Sequence, residues 1–406
     1  LPASQSMKVL VFNCGSSSLK FEMLELARDG RKRKQIARGK FEEIGPRAKA
    51  IMTDASGKKT ETLVPVENHA AAAMRALQWL GSTVDDSKPE VVVHRVVHGG
   101  EQVTAPAIAN EGVMLALNEA SRFAPLHNPP ALATLRAVSE KLAGVPAVVV
   151  PDTAFHHTLP EHARAYAIPR ALAARHGIRR FGFHGIGHAW MMERYAEICG
   201  TPVQDLRLVT LQLGAGCSAT AIRGGRSVDT SMGLTPLEGL MMATRSGDLD
   251  PAIFGYLAKA EQITPEKIEE ILNRDSGLLG VSGRSDDLRE LEAHRVGDEN
   301  SALALKMFCY RVRKYIGAYL AALGGADAII FGGGIGENSD STRAHVCAGL
   351  EQLGIVLDET RNREANGREA RINADRSSIS AHVIPLDEEL YMARAAVRLV
   401  HNIKST

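Results

Sequence analysis

Five short apolar runs, each stopped by glycine or a polar cluster, set the limits on what this chain folds into. They are Val9–Phe12, Val91–Val93 with Val96–Val97, Ala147–Val150, Leu208–Leu213 and Ala328–Phe331. Runs this short and this apolar fit strands covered on both faces. Helical patterns lie between them. Ala70–Leu80 is alanine-rich, with Asn68 as its cap, and Asn300–Leu323 places Phe308, Val312, Tyr315, Ile316, Tyr319 and Leu323 on one stripe. Strands mixed with helices of this length predict an α/β chain. A length of 406 residues predicts two domains. Gly317–Gly336 is apolar apart from Asp327 but dense in glycine, and reads as a helix end, a turn and a buried strand rather than a membrane span.

Charge excludes several function classes. Lys plus Arg is 48 and Asp plus Glu is 47, a formal net charge of +1. So balanced a chain has no global field to hold nucleic acid or an anionic membrane. Any anion site must come from a few placed cations. Aromatics at 5% argue against a stacking platform for single strands. The cysteines, Cys14, Cys199, Cys217, Cys309 and Cys347, are odd in number and lack a C-x-x-C, which fits neither a disulfide framework nor a zinc ribbon. A reduced, cytoplasmic compartment is expected. No charged-then-apolar leader is read, and Leu1–Ser6 ahead of Met7 reads as a short extension.

Two stretches echo each other. Asn13–Lys20 (NCGSSSLK) and Leu213–Thr220 (LGAGCSAT) both put small residues directly after an apolar run. Such turns expose backbone N–H groups, and nests of that kind hold phosphate oxygens. In the first, Asn13 offers a carbonyl to a metal, Ser16 and Ser18 offer hydroxyls and Lys20 a charge; a hairpin tip with a surface lysine would read the same way. No G-x-x-x-x-G-K-[ST] occurs, so neither is a P-loop.

The remaining candidates are single residues in telling places. Arg95 sits inside an apolar run, where a guanidinium costs several kcal/mol unless paired. A structural salt bridge would explain it, and so would a cation held for a carboxylate or phosphate. Asp152 follows Ala147–Pro151, at the carboxyl end of a strand, where open α/β sheets place ligands; a helix cap would read alike. His184 and His188 are spaced i,i+4, yet Gly182, Gly185 and Gly187 around them argue for a turn, in which a histidine would donate to a developing anion. Val228–Pro251 fits neither period and contains Arg245, a second anion ligand. Phe331–Asn338 (FGGGIGEN) leaves bare backbone for a planar group. It resembles G-x-G-x-x-G only loosely, since Glu337 takes the last glycine position. Glu388 and Glu389 offer carboxylates to a cation, or form a plain acidic surface pair.

Together these pieces resemble the acetate kinase family of the acetate and sugar kinase, Hsp70 and actin superfamily. The likeness runs from about Met7 to the end, on NCGSSSLKF, HRVVHGGE, APLHNPP, DTAFH, FGFHG, DTSMGLTPLEGLMMATRSGDLDP and GGGIGENS in that order. It implies two ribonuclease-H-like (actin-like ATPase) domains flanking a nucleotide cleft. Residues 7–156, completed by 388–406, would form the first; residues 157–387 would form the second, with nucleotide-binding and dimer surfaces. It implies a magnesium-dependent, in-line transfer from ATP to acetate, giving ADP and acetyl phosphate, in a homodimer, with manganese as an alternative ion.

The resemblance also assigns residues. Asn13 and Glu388 match the magnesium pair. Ser16, Ser18 and Lys20 match one phosphate segment, and Gln212, Leu213, Gly214, Ala215 and Gly216 the other. Asp287, Arg289, Gly334, Ile335, Gly336, Glu337 and Asn338 match nucleotide-binding positions. Arg95, His184 and Arg245 match those around the transferred phosphoryl group, His127 the histidine of APLHNP, and Asp152 the catalytic aspartate. Val97, Leu126, Phe183 and Pro236 match an acyl pocket. These residue types suit the chemistry, since phosphoryl transfer needs positioning and charge neutralisation above all. An acetate carboxylate needs no base at neutral pH, only shielding from the phosphate charge.

Three departures stand out. The family commonly reads H-L-G-N-G where this chain has Gln212–Gly216, so Ala215 replaces an asparagine; Cys217 replaces a serine; Asp387 replaces an asparagine beside Glu388. Alternatives are a kinase for propionate or another short acyl group, and a pyrophosphate-dependent acetate kinase. An ATP-binding chaperone or filament protein would not need Arg95 and Arg245. A dehydrogenase would need its glycine loop early and an acid about 20 residues on; Glu359 has no clear strand before it.

Overall fold

The apolar runs become the central strands of two sheets. The structure, a computed structural model, describes residues 6–27, 30 and 33–405, with side chains of the last helix followed to His401. Residues 1–5 of the short extension lie outside the described residues. One sheet contains β1 (Ser6–Cys14), β2 (Leu19–Ala27), β3 (Arg33–Glu42), β4 (Ala48–Thr53), β5 (Lys59–Val64), β6 (Val91–Val96), β7 (Ala107–Ile108) and β8 (Ala147–Pro151), in the order β5-β4-β3-β2-β1-β6-β8-β7. The other contains β9 (Arg207–Leu213), β10 (Cys217–Arg223), β11 (Arg226–Thr230), β12 (Ala328–Gly332), β13 (Ala370–Arg371) and β14 (Ser380–Val383), in the order β11-β10-β9-β12-β14-β13.

A shared plan lies inside both. Strands β1, β2 and β3 form an antiparallel meander, β6 runs parallel to β1 and β8 parallel to β6. In the second sheet β9, β10 and β11 form the meander, β12 runs parallel to β9 and β14 parallel to β12. Each is a ribonuclease-H-like sheet. Asn13–Lys20 and Leu213–Thr220 therefore occupy the same place, the first turn of each meander.

Two compact units result, one of Leu1–Phe155 with Asp387–Thr406, the other of His156–Leu386. In the first, the helix His69–Thr83 opens where Asn68 accepts from the Ala71 N–H at 2.9 Å, and its alanine face, Ala72, Ala73 and Ala76, is buried. The helix Glu388–Ser405 packs on β1 and β6. In the second, the helix Glu299–Leu323 opens at Asp298 and closes at Gly324, which adopts a left-handed φ of 67°. Of its expected stripe, Phe308, Val312, Ile316, Tyr319 and Leu323 are buried, while Tyr315 is half-buried and donates to Asp248 at 2.7 Å. Among the described residues no helix is long and apolar enough to cross a membrane.

Three local expectations need correction. Strand β11 extends through Val228–Thr230, so the irregular stretch starts at Ser231. Gly185–Cys199 is a helix despite its glycines, because Ile186, Ala189, Trp190 and Met191 bury against the sheet and outweigh the propensity cost of about 1 kcal/mol per glycine. Gly333–Asn338 is likewise a short helix rather than an open loop.

One core position carries a pH-dependent cost. His94 of β6 is 1% exposed, stacks on Phe12 at 5.4 Å, and neither ring nitrogen has a partner. Burial drives its pKa down to about 3. Between pH 6.5 and 3 the unfolded chain holds a proton there that the native ring refuses, so stability falls as pH drops. His94→Leu removes this term. Unfolding at pH 7 and pH 5 should show the wild type losing about 2 kcal/mol more than the variant. Equal losses would show that His94 is solvated.

Candidate active site

In the first unit the strand ends converge on one arginine. Arg95 on β6 donates to Asp152 Oδ2 at 3.1 Å, to Asn13 Oδ1 at 3.3 Å and to the Cys14 carbonyl at 3.4 Å. Asp152 directly follows β8 and is 1% exposed. Burial opposes the Arg95 charge, but the Asp152 and Glu388 carboxylates outweigh it and hold its pKa above the ordinary value. Asn13, at the end of β1, turns its amide to Glu388 Oε2 and Glu389 Oε1, each at 3.2 Å. Burial raises the Glu388 pKa, and Arg95 pulls against that. The carbonyl and carboxylate oxygens of Asn13 and Glu388 are hard donors of the kind magnesium takes. A turn of the Asn13 amide would present its oxygen beside Glu388.

The neighbouring hairpin is tight. Gly15 donates to the Ser18 carbonyl at 2.9 Å, and His69 holds the Gly15 carbonyl at 2.9 Å. Ser16 and Lys20 are exposed and Ser18 half-buried. Val97 is buried, Leu126 is exposed, and half-buried His127 precedes the helix Asn128–Lys141. Buried Asn128 clips that helix to the strand end, taking the His98 N–H at 3.0 Å and donating to its carbonyl at 2.8 Å. Sequence reasoning missed Glu22 and read Asp387 only as a departure beside Glu388. The Glu22 and Asp387 carboxylates gather with Glu389 within 4.8 Å, with Arg33 bonded to Asp387.

The second unit gathers a different set. His184 caps the helix Gly185–Cys199 in the left-handed conformation, φ 57°. That costs a non-glycine residue on the order of 1–3 kcal/mol, a strain that clusters at functional positions. Its Nδ1 meets Ser218 Oγ at 2.9 Å. A Cβ on Gly216 would lie 3.3 Å from His184 Nε2 and 3.7 Å from an Arg245 Nη1, so ring, guanidinium and the Gly214–Gly216 turn form one cluster. Arg245 donates to the Pro236 carbonyl at 3.1 Å. No carboxylate pairs with it among the described residues, and burial lowers its pKa. Phe183 is 1% exposed and Pro236 half-buried. Gln212, at the end of β9, is 9% exposed and its Oε1 has no partner.

The glycine segment packs against this turn. Gly333 has φ 77°, and a Cβ there would meet the Leu213 carbonyl oxygen at 2.6 Å. Glu337 accepts from the Gly333 and Leu386 N–H groups at 2.9 and 3.0 Å, and Asn338 donates to the Gly334 carbonyl at 2.9 Å. Gly334 and Ile335 lie in the same first turn, and Gly336 is buried. Asp287 caps the helix Leu288–His294 through the Arg289 N–H at 2.9 Å and pairs with the exposed Arg289 guanidinium.

Comparison with known proteins gives this geometry a family. The acetokinase family model matches residues 8–394. The chain belongs to the acetokinase family. It is 45% identical over 409 residues to the acetate kinase of Solibacter usitatus, covering 97% of this chain and 98% of that protein. The acetate kinase of Methanosarcina thermophila is 43% identical over 402 residues, with 97% of each covered. The crystal structure of Porphyromonas gingivalis acetate kinase superposes with a TM-score of 0.90 at 39% identity, covering 97% of this chain and 100% of that one. A propionate kinase from Francisella tularensis superposes at 0.88 with 34% identity, covering 96% and 98%.

A residue no sequence argument singled out holds the acetokinase glycine segment. Arg343 is 0% exposed. It donates to the carbonyls of Gly336 and Glu337 at 2.9 and 3.1 Å, to the Asn362 side chain and carbonyl at 2.7 and 2.6 Å, and to Asn366 at 2.8 Å. Burial pulls its pKa down to about 10. Removing the guanidinium orphans several buried carbonyls. Arg343→Met should cost about 3 kcal/mol or more in urea unfolding, and Arg343→Lys more than half of that, since a point charge replaces a planar fork. A loss under about 1 kcal/mol would show that water replaces the clamp.

Proposed function

We infer that this chain is an acetate kinase, catalysing ATP + acetate ⇌ ADP + acetyl phosphate by direct in-line transfer. The observation that carries the reading is Arg245, a half-buried guanidinium with no carboxylate partner among the described residues, clustered with His184 and the Gly214–Gly216 turn. With only the Pro236 carbonyl and the Met242 sulfur as partners, this guanidinium keeps donors available for an anionic ligand. A phosphoryl group in transfer brings spread negative charge.

The two units divide the tasks. In the first, Asp152 fixes the Arg95 guanidinium, whose charge suits the acetate carboxylate or its incoming phosphate. Val97, Leu126, Phe183 and Pro236 are read as the residues that accept the acetate methyl. His127 is read as a further donor to the phosphoryl oxygens. In the second, His184 and Arg245 neutralise the phosphoryl oxygens. The N–H groups of the Gly214–Gly216 turn, with Gln212 and Leu213 before it, hold the donor phosphates. Asp287, Arg289 and Gly334–Asn338 take the nucleoside. Ser16, Ser18 and Lys20 form the first phosphate segment. Asn13 and Glu388 would hold Mg²⁺, or Mn²⁺, which when bound would neutralise phosphate charge.

A homodimer is also proposed. The helix Ala252–Ala260 buries none of its residues, and Ile253, Phe254 and Tyr256 are 41%, 37% and 71% exposed. A face this apolar on a surface helix suits a second copy of the chain.

Hydroxamate formation from ATP, Mg²⁺, hydroxylamine and a carboxylic acid tests the reading. Acetate should exceed propionate in kcat/KM, and butyrate should be poor; butyrate above acetate would overturn the acyl assignment. Arg245→Ala and Arg95→Ala should each lower kcat about 10²–10³-fold with the fold intact. A well-folded variant that keeps a third of wild-type turnover removes that arginine from the mechanism.

Ala215 tests the donor. An asparagine there would add a hydrogen bond to a charged oxygen, worth about 1.5–3 kcal/mol. Ala215→Asn should raise kcat/KM for ATP while leaving the acetate KM nearly unchanged. Faster wild-type turnover with pyrophosphate than with ATP would overturn the ATP assignment; no response to Ala215→Asn would remove only the role of this position.

A further inference from the structure

Behind His184 lies a row of polar groups closed off from solvent. Ser218 Oγ stands 2.9 Å from His184 Nδ1 and 2.7 Å from His188 Nε2. His188 Nδ1 stands 2.7 Å from Thr210 Oγ1, which is 3.5 Å from the Thr220 carbonyl. His188, Thr210 and Ser218 are each 0% exposed. None of the steps assigned above uses them. The local fold brings them into line: His184 and His188 are one helical turn apart, and Thr210 and Ser218 lie on the paired strands β9 and β10.

A hydroxyl has one proton to donate. Ser218 sits between two imidazole nitrogens and can donate to only one, so it must accept from the other. Suppose Ser218 donates to His188 Nε2. Then His184 carries its proton on Nδ1, and His188 carries its own on Nδ1, facing Thr210. Suppose instead that Ser218 donates to His184 Nδ1. Then His188 is protonated at Nε2, Thr210 donates to its Nδ1, and neutral His184 bears its proton on Nε2. In either case the two neutral rings carry the same tautomer.

We propose that His184 and His188 form a single coupled pair through Ser218, with His188, Ser218 and Thr210 as positioning residues that decide whether His184 Nε2 is a hydrogen-bond donor. This rests on the reading that His184 faces the transferred phosphoryl group. A neutral ring can donate to that anion only in the second arrangement. A phosphoryl oxygen at Nε2 therefore selects it, and because both arrangements hold the same number of protons the selection needs no net proton uptake. If His184 becomes an imidazolium, its Nδ1–H must point at Ser218, and His188 is then held in the Nδ1–H form.

The surroundings keep the row separate. Burial holds His188 neutral, its pKa well below the ordinary value. His156 lies edge-on to His188 at 5.8 Å but is tied elsewhere, to Ser227 Oγ at 2.9 Å and to the Phe183 carbonyl at 3.0 Å. A carbonyl only accepts, so His156 Nε2 is fixed as a donor. The Cys217 thiol is pushed up to about 12 by burial and stays neutral. Arg245, across Gly216, is the nearby fixed cation.

The experiment is ¹⁵N spectroscopy of the full chain with labelled histidine, since imidazole nitrogen shifts separate N–H from lone-pair nitrogen. The two rings are assigned from His184→Gln and His188→Gln. The wild type, with and without acetyl phosphate, should show matched neutral tautomers, or an imidazolium at His184 with Nδ1–H at His188. A mixed neutral pair, or imidazolium His184 with Nε2–H His188, overturns the proposal. Thr210→Val removes the acceptor for His188 Nδ1–H and should leave both rings Nε2–H; a mixed pair there overturns it equally. Thr210→Ser should restore the wild-type pattern. Ser218→Ala should lower kcat about 10–100-fold, the range for groups that orient a functional histidine, with the acetate KM within about twofold. Ser218→Thr should recover most of the loss, and an unchanged kcat in Ser218→Ala overturns the positioning role. The spectra need no turnover. A wild type that forms no hydroxamate defeats the kinase reading and leaves the tautomer result standing.

Discussion

A guanidinium taken out of water must meet either an anion or a ring of carbonyls, and the organisation of this chain follows from how three arginines meet that demand. Arg95 has Asp152. Arg343 has five oxygen partners from the backbone and from Asn362 and Asn366. Arg245 has the Pro236 carbonyl and the Met242 sulfur, and no carboxylate among the described residues. The first two are settled within the protein, and they hold a strand end and a helical turn in place. The third is the one we propose for a ligand. We propose that Arg245, with no carboxylate of its own, makes a local site for a highly charged group in a chain whose formal net charge is only +1.

The sheets supply the scaffold for that difference. Both units use an antiparallel meander followed by two parallel strands, so each places a tight turn at the same point. What differs is the chemistry on the turn. In the first unit it carries hydroxyls and Lys20; in the second it is bare Gly-Ala-Gly backbone beside a strained histidine. His184, at positive φ, has its ring against β10. The same contact ties that ring to Ser218, so the strain and the buried polar row belong to one arrangement.

Much of this was legible in the residue order. Each apolar run is a central strand, because strands covered on both faces have no polar side to interrupt them. Asn68 caps its helix because its side chain meets an N–H that the helix leaves open. The glycine-rich segments were misread for one physical reason: glycine disfavours a helix locally, but tertiary burial decides. Trp190 and Met191 pin the helix after His184, and the close approach of Gly333 to Leu213 turns GGGIGEN into a helical turn against β9. Arg343 was invisible because nothing local marks an arginine whose partners lie up to 23 residues away. Asp152 next to Arg95 was visible as two separate oddities, and only strand pairing joins them.

The path of the chain has a consequence for its synthesis. The helix Glu388–Ser405 belongs to the first unit, yet it is made after the whole of the second. Its buried residues, Leu390, Met392, Ala393, Ala396, Val397 and Val400, cover β1 and β6. At about 5–20 residues per second, a ribosome takes roughly ten to fifty seconds to make the segment in between. Through that interval the first sheet waits with one apolar face uncovered and without Glu388. The nascent first unit therefore keeps apolar surface exposed until its last helix is made, whereas the second unit is continuous in the chain.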